Sequence, residues 1–340
     1  MARDLLPEND VARARLLQEY FGELVPTSSL HGRGWQITVT RPPTAEFYID
    51  PQLQEGLSWW ARTFGPVSID LIPFAHVVRP GFRLSLSDAW TLVSWSEYLK
   101  RQERRASVTV LHVDDHRDMM LPHLAKCNDG FTDLLSGKPF SLRDSLSVCA
   151  AVRSGAVGMG SFVAPFLHQG PTTDFRHLCA SRYDTNGRRL PLCCGFERDT
   201  LLAVGSLRPN ITLPTELSSF RCGEIHGYLG TPDLRAWLQD LRDGPILLHV
   251  DMDYFNNRFA GDSDWVDHAH KHDPPLVEVL TKIDALFVAL VESGISTRIS
   301  DCSVSLSPSF FPAEFWEPSI GRIADHIEQL HTKGLWHAGY

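Results

Sequence analysis

The sequence predicts an α/β fold in which a central, mainly parallel sheet is covered by helices. Short apolar runs rich in β-branched residues occur at residues 107–113, 245–250 and 294–300. Continuous runs of this kind are typical of strands that are buried on both faces. Segments with helical spacing of apolar residues alternate with these runs. Since parallel strands must be joined by crossover connections, this alternation favours a parallel sheet with helices on both faces.

The chain divides into an expected N-terminal extension, residues 1–65, packed on a core formed by residues 66–340. The extension starts with a helical pattern over residues 11–24, followed by a stretch interrupted by proline and glycine. Further strands are predicted at residues 68–74 and 83–87, and helices at 88–101, 276–293 and 320–333. Asp88 is a good candidate to cap the first of these helices.

Composition excludes several classes of function. The 340 residues carry a net charge of −9, which argues against nucleic acid as the main partner because that would need clustered Lys and Arg. The chain contains no run of 18 apolar residues, so a membrane is not an expected partner either. The charged first residues and the seven cysteines without zinc-ribbon spacing predict a cytoplasmic protein with reduced thiols.

The strongest functional signal is found where two predicted strands end. Residues 107–113 run directly into D-D-H-R-D, which begins at Asp114, and residues 245–250 run into D-M-D, which begins at Asp251. Alternate residues of an extended segment share one face, so the acidic groups of each motif can converge. Converging carboxylates repel one another unless a cation lies between them. Together with His116 they favour a transition metal such as manganese over calcium.

Around these motifs the sequence resembles a known superfamily. The segments L-H-V-D-D-H-R-D-M-M-L-P and I-L-L-H-V-D-M-D-Y-F are similar to the metal motifs of ureohydrolases and deacetylases. They most resemble a divergent branch that contains peptide arginases, which convert arginine to ornithine inside ribosomal peptides. The resemblance covers roughly residues 80–320. It implies a three-layer α/β/α arginase/deacetylase-like fold, two Mn²⁺ ions, hydrolysis of a linear amidine with release of urea, and an arginine-containing precursor peptide as partner.

The resemblance also implies roles for individual residues. Asp114 and Asp251 would bridge the two manganese ions. His116 and Asp253 would complete the shell of one ion, and Asp118, which also counts as a catalytic residue, would complete the shell of the other.

One further ligand of the superfamily is replaced. The superfamily has a histidine about 25 residues before D-x-H-x-D, where this chain has Asp88, 26 residues before Asp114. We expect Asp88 to be the substitute ligand; a plain helix cap, or His76 as the ligand instead, are the alternatives. Two residues before the second bridging aspartate, the usual Ser or Asp is replaced by His249, which is not counted as a ligand.

Two more catalytic roles have candidates. Asp301, expected to end the strand at residues 294–300, is a candidate to hold the guanidinium cation, or else a turn residue. His123, close to the first motif, is a candidate to protonate the leaving amine, with His168 as the alternative. Met119-Met-Leu-Pro122 lacks the Asn, Thr and Ser residues with which conventional arginases bind the α-groups of free arginine. This absence favours arginine within a peptide.

Other interpretations remain open. A small guanidino compound such as agmatine could be the substrate. A mononuclear zinc deacetylase would have histidine at position 253, where this chain has aspartate. The segment H-V-D-M-D also resembles the metal motif of translesion DNA polymerases, but there it precedes a long basic body. A non-catalytic binding module is a further possibility, and the protein could form a homo-oligomer.

Overall fold

The computed structural model describes residues 1–22, 24–40, 49–102, 107–214, 225–262, 264–268 and 271–339. Its helices are α1 Asp10–Phe21, α2 Leu53–Phe64, α3 Trp90–Arg101, α4 Ser145–Ser154, α5 Val163–Gln169, α6 Leu234–Leu238, α7 Leu276–Glu292 and α8 Trp316–Thr332. Its strands are β1 Val25–His31, β2 Gly34–Thr40, β3 His76–Arg79, β4 Phe82–Ser85, β5 Val108–Val113, β6 Leu124–Cys127, β7 Gly130–Asp133, β8 Pro139–Phe140, β9 Thr172–Leu178, β10 Leu190–Arg198, β11 Leu207–Thr212, β12 Ile225–Thr231, β13 Ile246–Asp251 and β14 Ile299–Ser305. Within these ranges, no helix combines the length and the apolar character that crossing a membrane requires.

A nine-stranded sheet forms the centre of the molecule, in the order β11-β10-β12-β9-β5-β13-β14-β4-β3. The six strands from β12 to β4 in this order run parallel to their neighbours. At one edge, β10 runs antiparallel to β12, and β11 runs antiparallel to β10. At the other edge, β3 runs antiparallel to β4. The predicted α/β class with a mainly parallel central sheet is therefore confirmed.

Both faces of the sheet are covered by helices. On β5, Val110 packs in a core shared with α3, α4 and α5, whereas its neighbour Leu111 packs in a core shared with α2, α6, α7 and α8. Successive residues of a strand point to opposite faces, so the two cores lie on opposite sides of the sheet. This arrangement is compatible with an α/β/α organisation, and it leaves the strand ends accessible for a site.

The first 65 residues contribute to two different apolar clusters. The helix α1 and the hairpin β1–β2 pack with Leu201 in a small cluster of their own. The helix α2 packs in the large core against α8, and the contact is so close that a Cβ atom on Gly56 would lie 2.6 Å from the ring of Trp316. The helix α2 therefore belongs to the same core as residues far beyond position 65.

Two predicted strands differ from the structure. Residues 68–74 form the 3₁₀ helix Ile69–Phe74, which contains Pro73, a residue without the N–H group that a strand ladder needs. The strand predicted at residues 294–300 begins only at Ile299, because Gly294 has a positive φ of 71° and Ile295–Arg298 forms a 3₁₀ turn. The second difference moves the carboxyl end of this strand to Ser305.

The cysteines also differ from expectation at one position. Cys193 is disulfide-bonded, so the prediction that the cysteines are reduced thiols is wrong for this residue. Among the described residues, Cys127, Cys149, Cys179, Cys194 and Cys302 form no disulfide.

Candidate metal centre

The acidic motifs meet at one edge of the sheet. Asp88 follows β4, Asp114 follows β5 and Asp251 ends β13, and all three are at most 3% exposed. These strands run parallel within the order β5-β13-β14-β4, so their carboxyl ends lie side by side, where ligands bind in such sheets. Above them opens a cavity of about 630 Å³. Its acidic and histidine lining is formed by Asp88, His116, Asp118, Asp251 and Asp253.

Two groups of possible metal ligands share one residue. Asp114, His116 and Asp253 place one ligand atom each within 4.8 Å of one another, and so do Asp88, Asp114 and Asp118. Asp114 is common to both groups. The arrangement therefore offers two adjacent positions for a cation, with the Asp114 carboxylate between them.

Hydrogen bonds orient several of these carboxylates. Asp251 Oδ2 accepts a bond of 2.7 Å from the Ser307 hydroxyl. Asp253 Oδ1 accepts one of 3.1 Å from the backbone N–H of Asp115, and its Oδ2 lies 2.8 Å from His116 Nδ1. Both Asp118 and Ser307 have positive φ angles, 53° and 41°. This conformation costs a non-glycine residue about 1 kcal/mol or more and is frequent at functional sites.

The electrostatics of the cluster call for positive charge. Burial raises the pKa values of Asp114, Asp118 and Asp251 well above the ordinary range, and neighbouring carboxylates raise them further. Burial by itself lowers the pKa of His116, but the hydrogen bond and charge of Asp253 outweigh it and raise this pKa to about 10. In the absence of a metal ion, protons on these groups thus supply the compensating charge.

The residues fit a divalent cation. Asp114 Oδ2 and Asp118 Oδ2 are buried and form no hydrogen bond of standard geometry with any described group. Burying carboxylate oxygens without donors is costly, and a cation coordinated by them removes that cost. The two groups that share Asp114 with His116 and Asp253 or with Asp88 and Asp118 would supply carboxylate oxygens and one imidazole nitrogen as ligands. Such a set suits a divalent transition metal.

The structure places Asp88 in this cluster and His76 outside it. The cap residue of α3 is Ala89, one position after Asp88. The Asp88 carboxylate lies within reach of Asp114 and Asp118, as expected of a ligand. His76 stacks on Trp90 at 3.8 Å between ring centroids, with its Nδ1 3.1 Å from an Arg83 nitrogen.

Asp301 is not part of the site, contrary to expectation. Since β14 starts at Ile299, Asp301 is its third residue and pairs with Leu247 near the beginning of β13. It lies four residues before the carboxyl end of the strand, about 13 Å away at the usual rise per residue. Both of its carboxylate oxygens accept hydrogen bonds of 2.9 Å from Ser94 of α3. The structure thus does not bring Asp301 to the cavity in which its predicted role of holding the guanidinium group would place it.

The two proton-donor candidates also lie elsewhere. His123 is buried beside α1, 3.2 Å from an Arg208 nitrogen, and burial with the Arg208 charge lowers its pKa to about 4. His168 Nε2 lies 3.1 Å from the carbonyl oxygen of Asn210. Neither residue lines the cavity of the acidic cluster, so the structure does not bring the predicted proton donor His123, or its alternative His168, to this site.

A row of buried histidines beneath the cluster was not predicted. His177, His112 and His249 lie at the same register on the neighbouring strands β9, β5 and β13. The ring of His112 stacks on that of His249, and His112 Nε2 lies 3.2 Å from the carbonyl oxygen of His116. His177 Nε2 lies 3.0 Å from the carbonyl oxygen of Asp114. The row therefore holds the backbone of the first motif in place.

Two sequence signals could have revealed part of this row. Both motifs read L-H-V-D, with a histidine two residues before the aspartate, at His112 and His249. Burial lowers the pKa of His112 to about 3 and that of His249 well below its usual range, so both rings are neutral. Together with Asp114 they form a third group whose ligand atoms lie within 4.8 Å.

The molecule is thus a mixed α/β protein with a candidate metal centre at the carboxyl edge of its sheet. No family model matches the chain, and a search of curated proteins found no relative.

Proposed function

We propose that the protein is a manganese-dependent hydrolase of the arginase and deacetylase superfamily that acts on arginine residues in a peptide and releases urea. The observation that carries this proposal is the pair of ligand groups sharing Asp114 at the floor of an open cavity. The sequence resemblance implies the five residues of these two groups and adds Asp251, which lines the cavity but belongs to neither group. It places Asp114 and Asp251 between two ions, His116 and Asp253 on one, and Asp88 and Asp118 on the other.

Charge favours a cationic substrate. The five carboxylates of this set, Asp88, Asp114, Asp118, Asp251 and Asp253, carry one more negative charge than two divalent ions neutralise. A guanidinium group would be attracted to such a floor. The walls above it include Ile72, Leu86, Met119, Met159 and Phe310. Apolar walls of this kind suit the methylene groups of an arginine side chain.

The residues of the site have distinct tasks in this reaction. When bound, two manganese ions lower the pKa of water so that it can attack the guanidinium carbon near neutral pH. Ser307 holds the Asp251 carboxylate, and the Asp115 N–H together with the His116 ring holds that of Asp253. The histidine row fixes the carbonyl groups of Asp114 and His116 from below. Preorganisation of this kind spares the cost of reorienting these groups during the reaction.

The experiment that tests the proposal uses protein stripped of metal and then loaded with Mn²⁺. An arginine-containing peptide, free arginine, agmatine and an acetyl-lysine peptide are offered separately. Urea is measured for the first three, the loss of one CH₂N₂ unit per arginine by mass spectrometry of the peptide, and acetate for the last. We expect urea from the peptide. Urea from free arginine or agmatine alone would refute the peptide substrate, and acetate without urea would refute the arginase reaction.

Two variants locate the chemistry. Asp251→Asn should abolish urea release because it removes a ligand of the proposed centre. Asp301→Asn is the matched control, since Asp301 is also a buried aspartate of a neighbouring strand but lies outside the cavity. Equal losses in both variants would contradict the assignment of the site.

A further inference from the structure

One arginine stands inside the metal cavity. Arg117 lies between His116 and Asp118 in the first motif, is half-buried, and lines the same cavity. Among the described residues of that lining it is the sole Lys or Arg. Although five aspartates are close by in the fold, no carboxylate of the described chain lies within ion-pair distance of its guanidinium group.

Two tyrosines hold this guanidinium group in place. Arg117 Nε donates a hydrogen bond of 3.3 Å to the Tyr228 hydroxyl. The guanidinium carbon lies 4.5 Å from the ring centroid of Tyr183 and 5.6 Å from that of Tyr228, both within the range of cation–π attraction. Tyr228 is buried, and its hydroxyl also lies 2.9 Å from His177 Nδ1. These contacts involve Nε and the face of the guanidinium group that lies over the tyrosine rings. The two terminal nitrogens of Arg117 can therefore bind another partner.

A second arginine beside the same tyrosine, Arg182, differs from Arg117 because it is paired with a carboxylate. Arg182 also lies over Tyr183, but its terminal nitrogen donates to Asp115 Oδ2 at 2.8 Å. Asp115, the acidic residue of the first motif that belongs to none of the ligand groups, is thus already paired with Arg182. Arg117 is oriented by aromatic rings and a neutral hydroxyl, so its charge remains available within the cavity.

We infer that Arg117 binds a carboxylate group of the substrate beside the metal centre. A guanidinium fork with two free terminal nitrogens matches a carboxylate in geometry and charge. The inference rests on the proposed function for the remainder of the substrate. The inference also predicts how the substrate is oriented. Its positively charged guanidinium end lies at the acidic floor of the cavity, and a negatively charged group lies at Arg117.

The carboxylate has two possible sources, which matched probes distinguish. One pair is acetyl-arginine and its methylamide, which differ in the α-carboxylate. The other is acetyl-Gly-Arg-Asp-Gly-amide and its Asn counterpart, which differ in a neighbouring side chain. Hexanoate and hexanamide form a third pair that contains no guanidinium group. Each is titrated into Mn²⁺-loaded protein by calorimetry.

We expect the acid of at least one pair to bind about tenfold or more tightly than its amide, as charge-assisted hydrogen bonds require. Arg117→Gln should abolish this preference, whereas Arg117→Lys should retain part of it. The control Arg322→Gln, which changes an exposed arginine of α8 paired with Asp284, should keep it in full. The pair that discriminates identifies the source. Equal binding of acid and amide in all three pairs, or a preference that survives Arg117→Gln in protein with full metal content, would overturn the inference.

Failure of this inference and failure of the proposed function are distinguishable. Urea release from the acid and amide peptides with equal KM, unchanged in Arg117→Gln, would leave the hydrolase proposal standing and remove the carboxylate subsite. An Arg117-dependent preference for hexanoate without urea from any substrate would support the carboxylate subsite and contradict the hydrolase proposal.

Discussion

The buried carboxylate of Asp199 and the buried carboxylates of the candidate metal centre have opposite surroundings. Asp199, near α1, accepts hydrogen bonds of 2.9 Å from the backbone N–H groups of Leu201 and Ala203 and another from the Tyr20 hydroxyl. Burial raises its pKa, but these bonds and the Arg208 charge outweigh burial, and the pKa lies below its usual value. In the metal centre, Asp114, Asp118 and Asp251 have few donors, and their pKa values are raised.

The difference shows that nearby hydrogen-bond donors decide whether a buried carboxylate is stable as an anion. Both sites are almost completely buried, so burial alone does not distinguish a structural aspartate from a candidate ligand. A carboxylate surrounded by N–H and O–H groups stabilises the fold as an anion. Carboxylates surrounded by one another need either protons or a cation, and this need is what makes the cluster a candidate metal centre.

The largest effect should follow from breaking the metal centre itself. Asp251→Asn removes one negative charge and one ligand, and we expect manganese affinity to fall by more than about 100-fold, beyond the loss typical of residues that only support ligands. Calorimetric titration and metal content after dialysis measure this change. An unchanged manganese affinity would show that Asp251 is not a ligand.

Adding the missing cation should stabilise the protein. Mn²⁺ at about 100 times its dissociation constant should raise the free energy of unfolding by about 2.7 kcal/mol. At a fixed Mn²⁺ concentration the gain should grow between about pH 7 and 9, because the cluster carboxylates and His116 have raised pKa values in the fold. The metal-free folded state therefore holds protons that the unfolded state has released, and its stability falls as the pH rises. Urea unfolding with EDTA or Mn²⁺ across this range measures both effects; a metal-free stability that increases with pH would contradict them.

Breaking the other site should affect stability without affecting metal. Asp199→Ala leaves the Tyr20 hydroxyl and two backbone N–H groups without their acceptor, and it removes the ion-pair partner of Arg208. We expect a loss of about 2 kcal/mol in the free energy of unfolding. Denaturant unfolding checks the loss, and bound manganese should stay at the wild-type level. Reduced manganese binding in folded protein would mean that the two sites are coupled.

The smallest effect should come from a single supporting hydroxyl. Ser307→Ala removes the hydrogen bond to Asp251, and we expect manganese affinity to fall about tenfold. Ser94→Ala is its matched control, because Ser94 donates to the buried aspartate Asp301 outside the centre. That variant should keep wild-type manganese affinity in calorimetry. An equal loss of affinity in both variants would argue for a general structural effect.

Part of the sheet could not be predicted because its burial depends on pairing. The strand β9 contains Asp174, Arg176 and His177 among its buried residues, so its sequence does not read as an apolar run. Arg176 Nε donates to Asp174 at 2.7 Å, and its terminal nitrogens donate to backbone carbonyls after α6. A pattern of hydrophobicity reveals neither the nearby carboxylate nor the distant backbone carbonyl groups. By contrast, β5 and β13 were predicted to within a residue or so because most of their buried residues are apolar and need no polar partner.

The α/β class and the two acidic motifs at strand ends could be predicted from the sequence, because strand periodicity and local spacing are properties of short segments. Which distant residues join these motifs became clear only from the fold. The strand order brings Asp88 to Asp114, and the late start of β14 puts Asp301 against α3 while bringing Ser307 to Asp251. These relations depend on which strands are neighbours and where each begins, and long-range packing sets both.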